Sequence, residues 1–240
     1  MRADTLFPST HGTWMTAQLE RLEADDAASA DRALRELREH VMRRYYEPLC
    51  AYLAATSYRD LDAPAALVAG FFVDRLSDAA NLAAWRASGL PLRRWLINGL
   101  LFWVRTELRR RRAREEREHA IARVASAAST LSPEAIFERE WARAIVGDAC
   151  ELVERELHDA GDSARWAMFA RHVIDGKTYD EIAAEAGASA ADARNATRMV
   201  RARIDRALER LLVEEGVPPS AIDEELARIH AHFALGGGES

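Results

Sequence analysis

The chain has 240 residues, 49% of them hydrophobic and 30% charged, with a formal net charge of −6 at pH 7. So large an apolar share excludes general disorder, and the length suits one large domain or two small ones. The two cysteines, Cys50 and Cys150, exclude a disulfide framework and a cysteine-rich zinc site.

Residues 1–14 carry acidic, polar and proline residues where a signal peptide needs an apolar core. The most apolar window, 95–104, is short of the roughly 18 residues that span a bilayer. The expectation is a soluble cytoplasmic protein that does not enter a membrane. Alanine, leucine, arginine and glutamate dominate, and no run alternates in the manner of a half-buried strand, so the chain reads as all-α.

Leu34, Leu37, Val41, Tyr45 and Leu49 recur at spacings of three and four and mark one apolar helix face, which Pro48 is expected to kink or end. Asp62 is suited to cap a second helix with Pro64 in its first turn and Leu67, Phe71, Phe72 and Leu76 turned inward. Ser88-Gly89 breaks the chain before Pro91. A long helix then starts near Leu92, apolar in its first half and charged in its second, with Phe102 and Trp103 read as core. Gly99 lies in mid-helix, at a cost of roughly 1 kcal/mol relative to alanine.

Residues 119–132 read as a flexible linker of small residues, ending at Ser132-Pro133, a helix start. A second helical domain is expected over 133–216. Pro218-Pro219 closes it, and Ser220 to Asp223 resembles a capping box for a short helix reaching about Phe233. The expected architecture is therefore a helical domain at 1–118, a linker at 119–132, a second domain at 133–216, and a C-terminal helix with a frayed tail at 217–240.

The sharpest local pattern lies between Lys177 and Arg203. Residues 178–186 read as a short amphipathic helix with Tyr179, Ile182, Ala183 and Ala186 inward, and Gly187 supplies the turn. Ser189 then caps a second helix that exposes Asp192, Arg194, Asn195, Arg198 and Arg201. Two helices joined by a glycine turn, with small residues where they cross, form a helix-turn-helix. Polar residues early in its second helix can reach base edges, and later arginines can hold phosphates.

Split by position, the charge changes meaning. Residues 93–114 hold eight arginines against Glu107, a local +7, and residues 194–210 hold six against Asp205 and Glu209, a local +4. These two stretches sum to +11 and leave −17 on the rest of the chain. Two concentrated arginine stretches in an acidic chain suit contacts with nucleic acid. Trp95, with Phe102 and Trp103 if they lay outside the core instead, stands beside Arg93, Arg94, Arg105 and Arg109 to Arg112. Together they would supply both the stacking and the cationic groups that hold single strands, while the safer DNA contacts are the arginines after Thr106.

Enzyme chemistry finds no support. The histidines are scattered, and His230 and His232, two apart on a helix, point in different directions. There is no phosphate loop, nucleophile motif or metal site, and no cofactor is expected. Cys50 and Cys150 read as small hydrophobes.

Tyr-Asp-Glu-Ile-Ala-Ala-Glu-Ala-Gly-Ala-Ser at 179–189, with Arg194-Asn195 and Arg201-Ala202-Arg203, resembles the fourth conserved region of bacterial sigma-70-family sigma factors. Residues 45–53, 67–76 and 92–101 resemble the second conserved region. Phe-Pro-Ser-Thr at 7–10, Phe-Glu-Arg-Glu-Trp-Ala at 137–142 and Ile-Asp-Glu-Glu-Leu-Ala-Arg at 222–228 resemble a large extracytoplasmic-function type common in planctomycete-like genomes. The resemblance rests on the order and spacing of blocks across nearly the whole chain.

It implies a region-2-like helical bundle that grips core RNA polymerase and melts the minus-ten element, and a region-4-like helix-turn-helix that reads the minus-thirty-five element as duplex. Leu67, Phe71, Phe72, Asp74 and Arg75 would then bind the β′ clamp, and Arg93, Arg94, Trp95, Asn98, Arg105, Arg109, Arg110 and Arg112 the minus-ten region. Ser189, Asp192, Arg194, Asn195, Arg198 and Arg201 would meet upstream DNA. The implied partners are core RNA polymerase, through its β′ clamp and β flap, and promoter DNA, with room for an anti-sigma factor. The chain departs from the family where Ala65, Ala66, Ala69 and Gly70 replace the usual acids and glutamine. Two other readings remain open: a stand-alone helix-turn-helix regulator, and a diverged sigma-like adaptor that binds protein alone.

Overall fold

A computed structural model describes residues 14–22, 26–60, 62–115 and 132–236. Among the described residues the secondary structure is helical, with no strand. The chain divides into two compact units. The first reaches Pro133 and includes the tripeptide Glu214–Gly216; the second holds Glu134–Val213 and the chain from Val217 onward.

The first unit contains α1 (Trp14–Leu22), α2 (Ala27–Ala54), α3 (Pro64–Leu76), α4 (Ala79–Ser88) and α5 (Leu92–Glu115). The Asp26 side chain caps α2 by accepting from the Ala28 amide at 3.2 Å. Leu37, Val41, Tyr45 and Leu49 are fully buried on the expected face. Pro48 does not end the helix, which continues to Ala54. An internal proline costs about 3 kcal/mol, but the turns beyond it bury Leu49, Tyr52 and Leu53. At about 1.5–3 kcal/mol each, that burial outweighs the lost backbone bond.

Helix α3 begins one residue later than expected. Ala63 is its N-cap, and the Asp62 carboxylate accepts from the Ala63 amide at 2.8 Å instead of reaching into the helix. The sequence pattern marks no separate helix at α1 or α4, and the structure forms both. Asp78 starts α4 by accepting from the Ala80 amide at 2.8 Å, and Leu82 and Trp85 are its buried residues. In α5, Leu92, Leu96, Leu100 and Val104 are buried at four-residue intervals, the stripe a helix must turn to its core.

Glu214–Gly216 completes the first unit, although sequence reading assigns it to the second domain. The Leu92 amide donates to the Glu215 carbonyl at 2.9 Å, and the fully buried Glu215 carboxylate accepts from buried Arg44. Burial pushes the Glu215 carboxyl up, and the Arg44 guanidinium opposes that shift.

The second unit is built from α6 (Pro133–Asp159) after its first residue, α7 (Ser163–Val173), α8 (Tyr179–Ala186), α9 (Ala190–Glu214) without its last residue, and α10 (Ile222–Gly236). Its core takes Phe137, Trp141 and Ile145 from α6, Ile182 from α8, and Val200 and Leu208 from α9. Helix α10 belongs to this unit rather than standing apart. It buries Ile229, and His230 Nε2 lies 3.1 Å from Asp205 on α9. A 3-10 turn at Pro219–Ala221 leads into it where a capping box was expected. The linker expected at 119–132 falls, apart from Ser132, outside the described residues, as does the tail after 236. No helix among the described residues is long and apolar enough to cross a membrane.

Candidate nucleic-acid interfaces

On α5 the buried stripe fixes what faces solvent. Arg94, Asn98, Phe102, Arg105 and Arg109 are all exposed and follow one another at spacings of three and four, so they form a single outer face. Four polar or cationic side chains thus flank one phenyl ring. Phe102 is 59% exposed, contrary to the expectation that it packs in the core. The reason is angular: Phe102 lies two residues, about 200°, beyond buried Leu100 on a helix of 3.6 residues per turn.

Trp103, by contrast, is partly buried against α3. Its ring meets Phe71 at a centroid distance of 6.4 Å, and its Nε1 donates to Asp74 Oδ2 at 2.7 Å. Gly70 makes this possible. A Cβ at that position would come within 2.8 Å of the tryptophan ring, closer than real contacts allow. The Arg75 guanidinium carbon lies 5.8 Å from the centre of the Phe102 ring, a cation–π arrangement. Asp74, Arg75, Phe102, Trp103, Thr106 and Arg110 together line a cavity of about 220 Å³. That is smaller than the roughly 300–1,000 Å³ of drug-sized ligand pockets.

The structure therefore brings Asp74 and Arg75, expected to contact polymerase, beside residues expected to contact DNA. Arg105 is steadied by its Nε donating to the Tyr58 hydroxyl at 3.2 Å. Arg110 lies 3.9 Å from Glu107, and Trp95 is half-buried.

Several expected contacts are corrected. Arg93 is only 3% exposed, because it falls on the stripe with Ile97, Leu100 and Val104, and cannot reach phosphate from there. Leu67, Phe71 and Phe72 are likewise core residues, whereas Val73 and Asp74 of α3 are exposed and Arg75 is half-buried. The Arg112 side chain lies outside the described residues.

In the second unit, Thr178 caps α8 in a reciprocal box: its hydroxyl accepts from the Glu181 amide, and its own amide donates to Glu181 Oε2 at 2.8 Å. Gly187 then adopts φ 63°, a left-handed conformation that glycine enters without strain. Ala183 is buried at the helix crossing, but Ala186, expected inward, is exposed. The second helix opens on another reciprocal pair. The Ser189 amide donates to Asp192 Oδ2, and the Asp192 amide donates to Ser189 Oγ, each at 3.1 Å. These Ser189 hydrogen bonds, the hydroxyl's first, hold the Asp192 carboxyl below its usual range. The carboxylate is thereby committed to ordering the helix start rather than to a base edge. Its stabilising contribution is present at neutral pH and is lost as acid titrates it through that lowered pKa.

Arg194, Arg198 and Arg201, at spacings of four and three, share one exposed face of α9, with Asn195 exposed beside them. Arg198 donates to Asn195 Oδ1 at 3.3 Å. Arg194 lies over the Tyr179 ring, 5.4 Å from its centre, and His172 of α7 stacks on Tyr179 at 4.1 Å. The sequence reading places Tyr179 inward but gives neither it nor His172 a role at the site, because a tyrosine at an inward helix position carries no mark of the arginine it will meet.

Elsewhere, a groove of about 430 Å³ between α6 and α7 is lined by Glu151, Glu154, Arg155, His158, Ser163 and Trp166. Its paired glutamates do not suit a nucleic-acid phosphate. Both cysteines are half-buried; burial first, then Glu47, pushes the Cys50 thiol up to about 11. Among the described residues no cluster of side chains could hold a metal ion. Comparison with known proteins finds no matching family model, no matching curated protein and no matching solved structure.

Proposed function

We propose that this chain is a sigma factor of the extracytoplasmic-function type, which binds core RNA polymerase and directs promoter recognition and transcription initiation. In this reading the two units are domains with distinct DNA tasks, joined through residues 119–132. The first unit holds the melted minus-ten strand, and the helix-turn-helix of the second reads upstream duplex.

One observation carries the reading: the two arginine helices present different chemistry. The α5 face interleaves Arg94, Arg105 and Arg109 with exposed Phe102, the combination single strands need, since a base can stack on the ring while cations track the backbone. The α9 face carries Arg194, Arg198 and Arg201 behind an ordered turn, as a recognition helix entering the major groove requires. A stand-alone duplex-binding regulator has no use for the first of these surfaces.

Arg194→Ala combined with Arg198→Ala tests the division of labour. Upstream-duplex binding by the polymerase complex should weaken by about 2 kcal/mol, within the range of one or two lost base or phosphate contacts, while binding to core polymerase stays unchanged. Loss of core binding in that double variant, measured by co-purification, would show that the second unit has been given the wrong task.

A further inference from the structure

The residues at the start of α9 are not equally free to read DNA. Asp192 is engaged with Ser189, and Asn195 accepts from Arg198. Arg194 is the fifth residue of the helix, within the turn and a half that reaches base edges in helix-turn-helix proteins. Among the described residues it is met by the face of Tyr179 and by no carboxylate. Tyr179 is the first residue of α8, so the contact ties the first helix of the motif to the second.

Tyr179 is itself held. The His172 ring lies nearly parallel to it, 27° apart at 4.1 Å, and His172 Nδ1 is 2.8 Å from the Lys177 carbonyl oxygen. A carbonyl only accepts, so the proton sits on Nδ1 and the imidazole is pinned to the turn preceding α8. Lys177 and Arg171 both pair with Glu185, at 2.6 and 3.1 Å, which bind that turn and α7 to α8. The stack therefore runs from α7 through α8 to the side chain of Arg194.

A flexible arginine loses rotamer freedom when it forms a bidentate contact, and one already held against a ring loses less. A held guanidinium fork matches one base edge best, the O6 and N7 acceptors of guanine in the major groove. We propose that Tyr179, backed by His172, is a positioning residue that orients Arg194 to read a single G·C pair in upstream duplex DNA. The proposal rests on the duplex-reading role given to the second unit, and it names the residue that sets that unit's specificity.

The test is a selection from duplex templates randomised upstream of a fixed start region, using the full chain assembled with core RNA polymerase. The wild-type complex should enrich a guanine at one position, and Arg194→Ala should abolish that preference there alone. Tyr179→Leu should lower it roughly two- to fivefold at the same position, the scale of one exposed cation–π contact. Tyr179→Phe, which keeps the ring, should retain it. Circular-dichroism melting of each variant controls for unfolding.

An unaltered profile for Tyr179→Leu overturns the proposal, as does a loss spread evenly over all positions, which marks Tyr179 as a packing residue only. Failure of the wild-type complex to enrich any sequence is a different result. It removes promoter reading by the second unit, and the proposal with it.

Discussion

Helices α5 and α9 carry the two arginine concentrations of an otherwise acidic chain, yet they deploy them differently. In α5 the cations are divided by the core: Arg93 is buried, Arg94, Arg105 and Arg109 face solvent, and a phenyl ring stands among them. In α9 the cations at the helix start keep to the outer face, behind a glycine turn and a serine–aspartate cap. The difference teaches that local charge says how much phosphate a helix could attract, while the buried stripe decides which of those charges can act. In the proposed function, stacking opportunity then separates a single-strand surface from a duplex surface.

Arg93 offers the sharpest way to break this distinction. If it serves the fold and not DNA, Arg93→Ala removes a buried side chain from the α5 stripe and should cost roughly 0.5–3 kcal/mol of stability, through lost packing. The salt dependence of DNA binding should stay unchanged. A stable variant with a reduced salt slope would return Arg93 to the DNA surface.

Two glycines on the α3–α5 contact should respond in opposite directions. Gly70→Ala drives a methyl into the Trp103 ring and should cost about 1–3 kcal/mol by overpacking, displacing the indole from Asp74. Gly99→Ala meets only the Phe71 ring, at an ordinary 3.4 Å, and should gain up to about 1 kcal/mol from helix propensity. Thermal melting reports both effects, and tryptophan fluorescence reports the displaced indole. Equal responses would mean that Trp103 does not lie over Gly70.

The surface arginines should behave in the reverse sense to Arg93. Arg109→Gln with Arg110→Gln should change stability by less than about 0.5 kcal/mol. If each holds one phosphate of a single strand, the slope of log affinity for single-stranded DNA against log salt should fall by about 1.4. An unchanged slope would take these arginines off the DNA.

Much of this was legible in the sequence. Three- and four-residue spacing gave the apolar face of α2, and Gly187 and Ser189 marked the turn and cap of the helix-turn-helix, because each depends on neighbours in the chain. The four-residue stripe of α5 also fixes Phe102 outside the core and Arg93 within it, although the apolar run around Phe102 suggests the opposite by composition alone. Thr178 and Glu181 likewise show the three-residue spacing of a capping box. What local pattern could not supply was contact between distant elements: Arg75 over Phe102, Trp103 on Gly70, Tyr179 beneath Arg194. Pro48 shows the same limit, since its local preference yields to core burial on either side of it.

The most direct test of the proposed function is dependence on polymerase. Purified full-length chain should co-purify with core RNA polymerase, bind promoter duplex weakly alone, and with core produce specific transcripts from the region upstream of its own gene. Tight, specific duplex binding without core, together with no co-purification and no specific transcript, would contradict it.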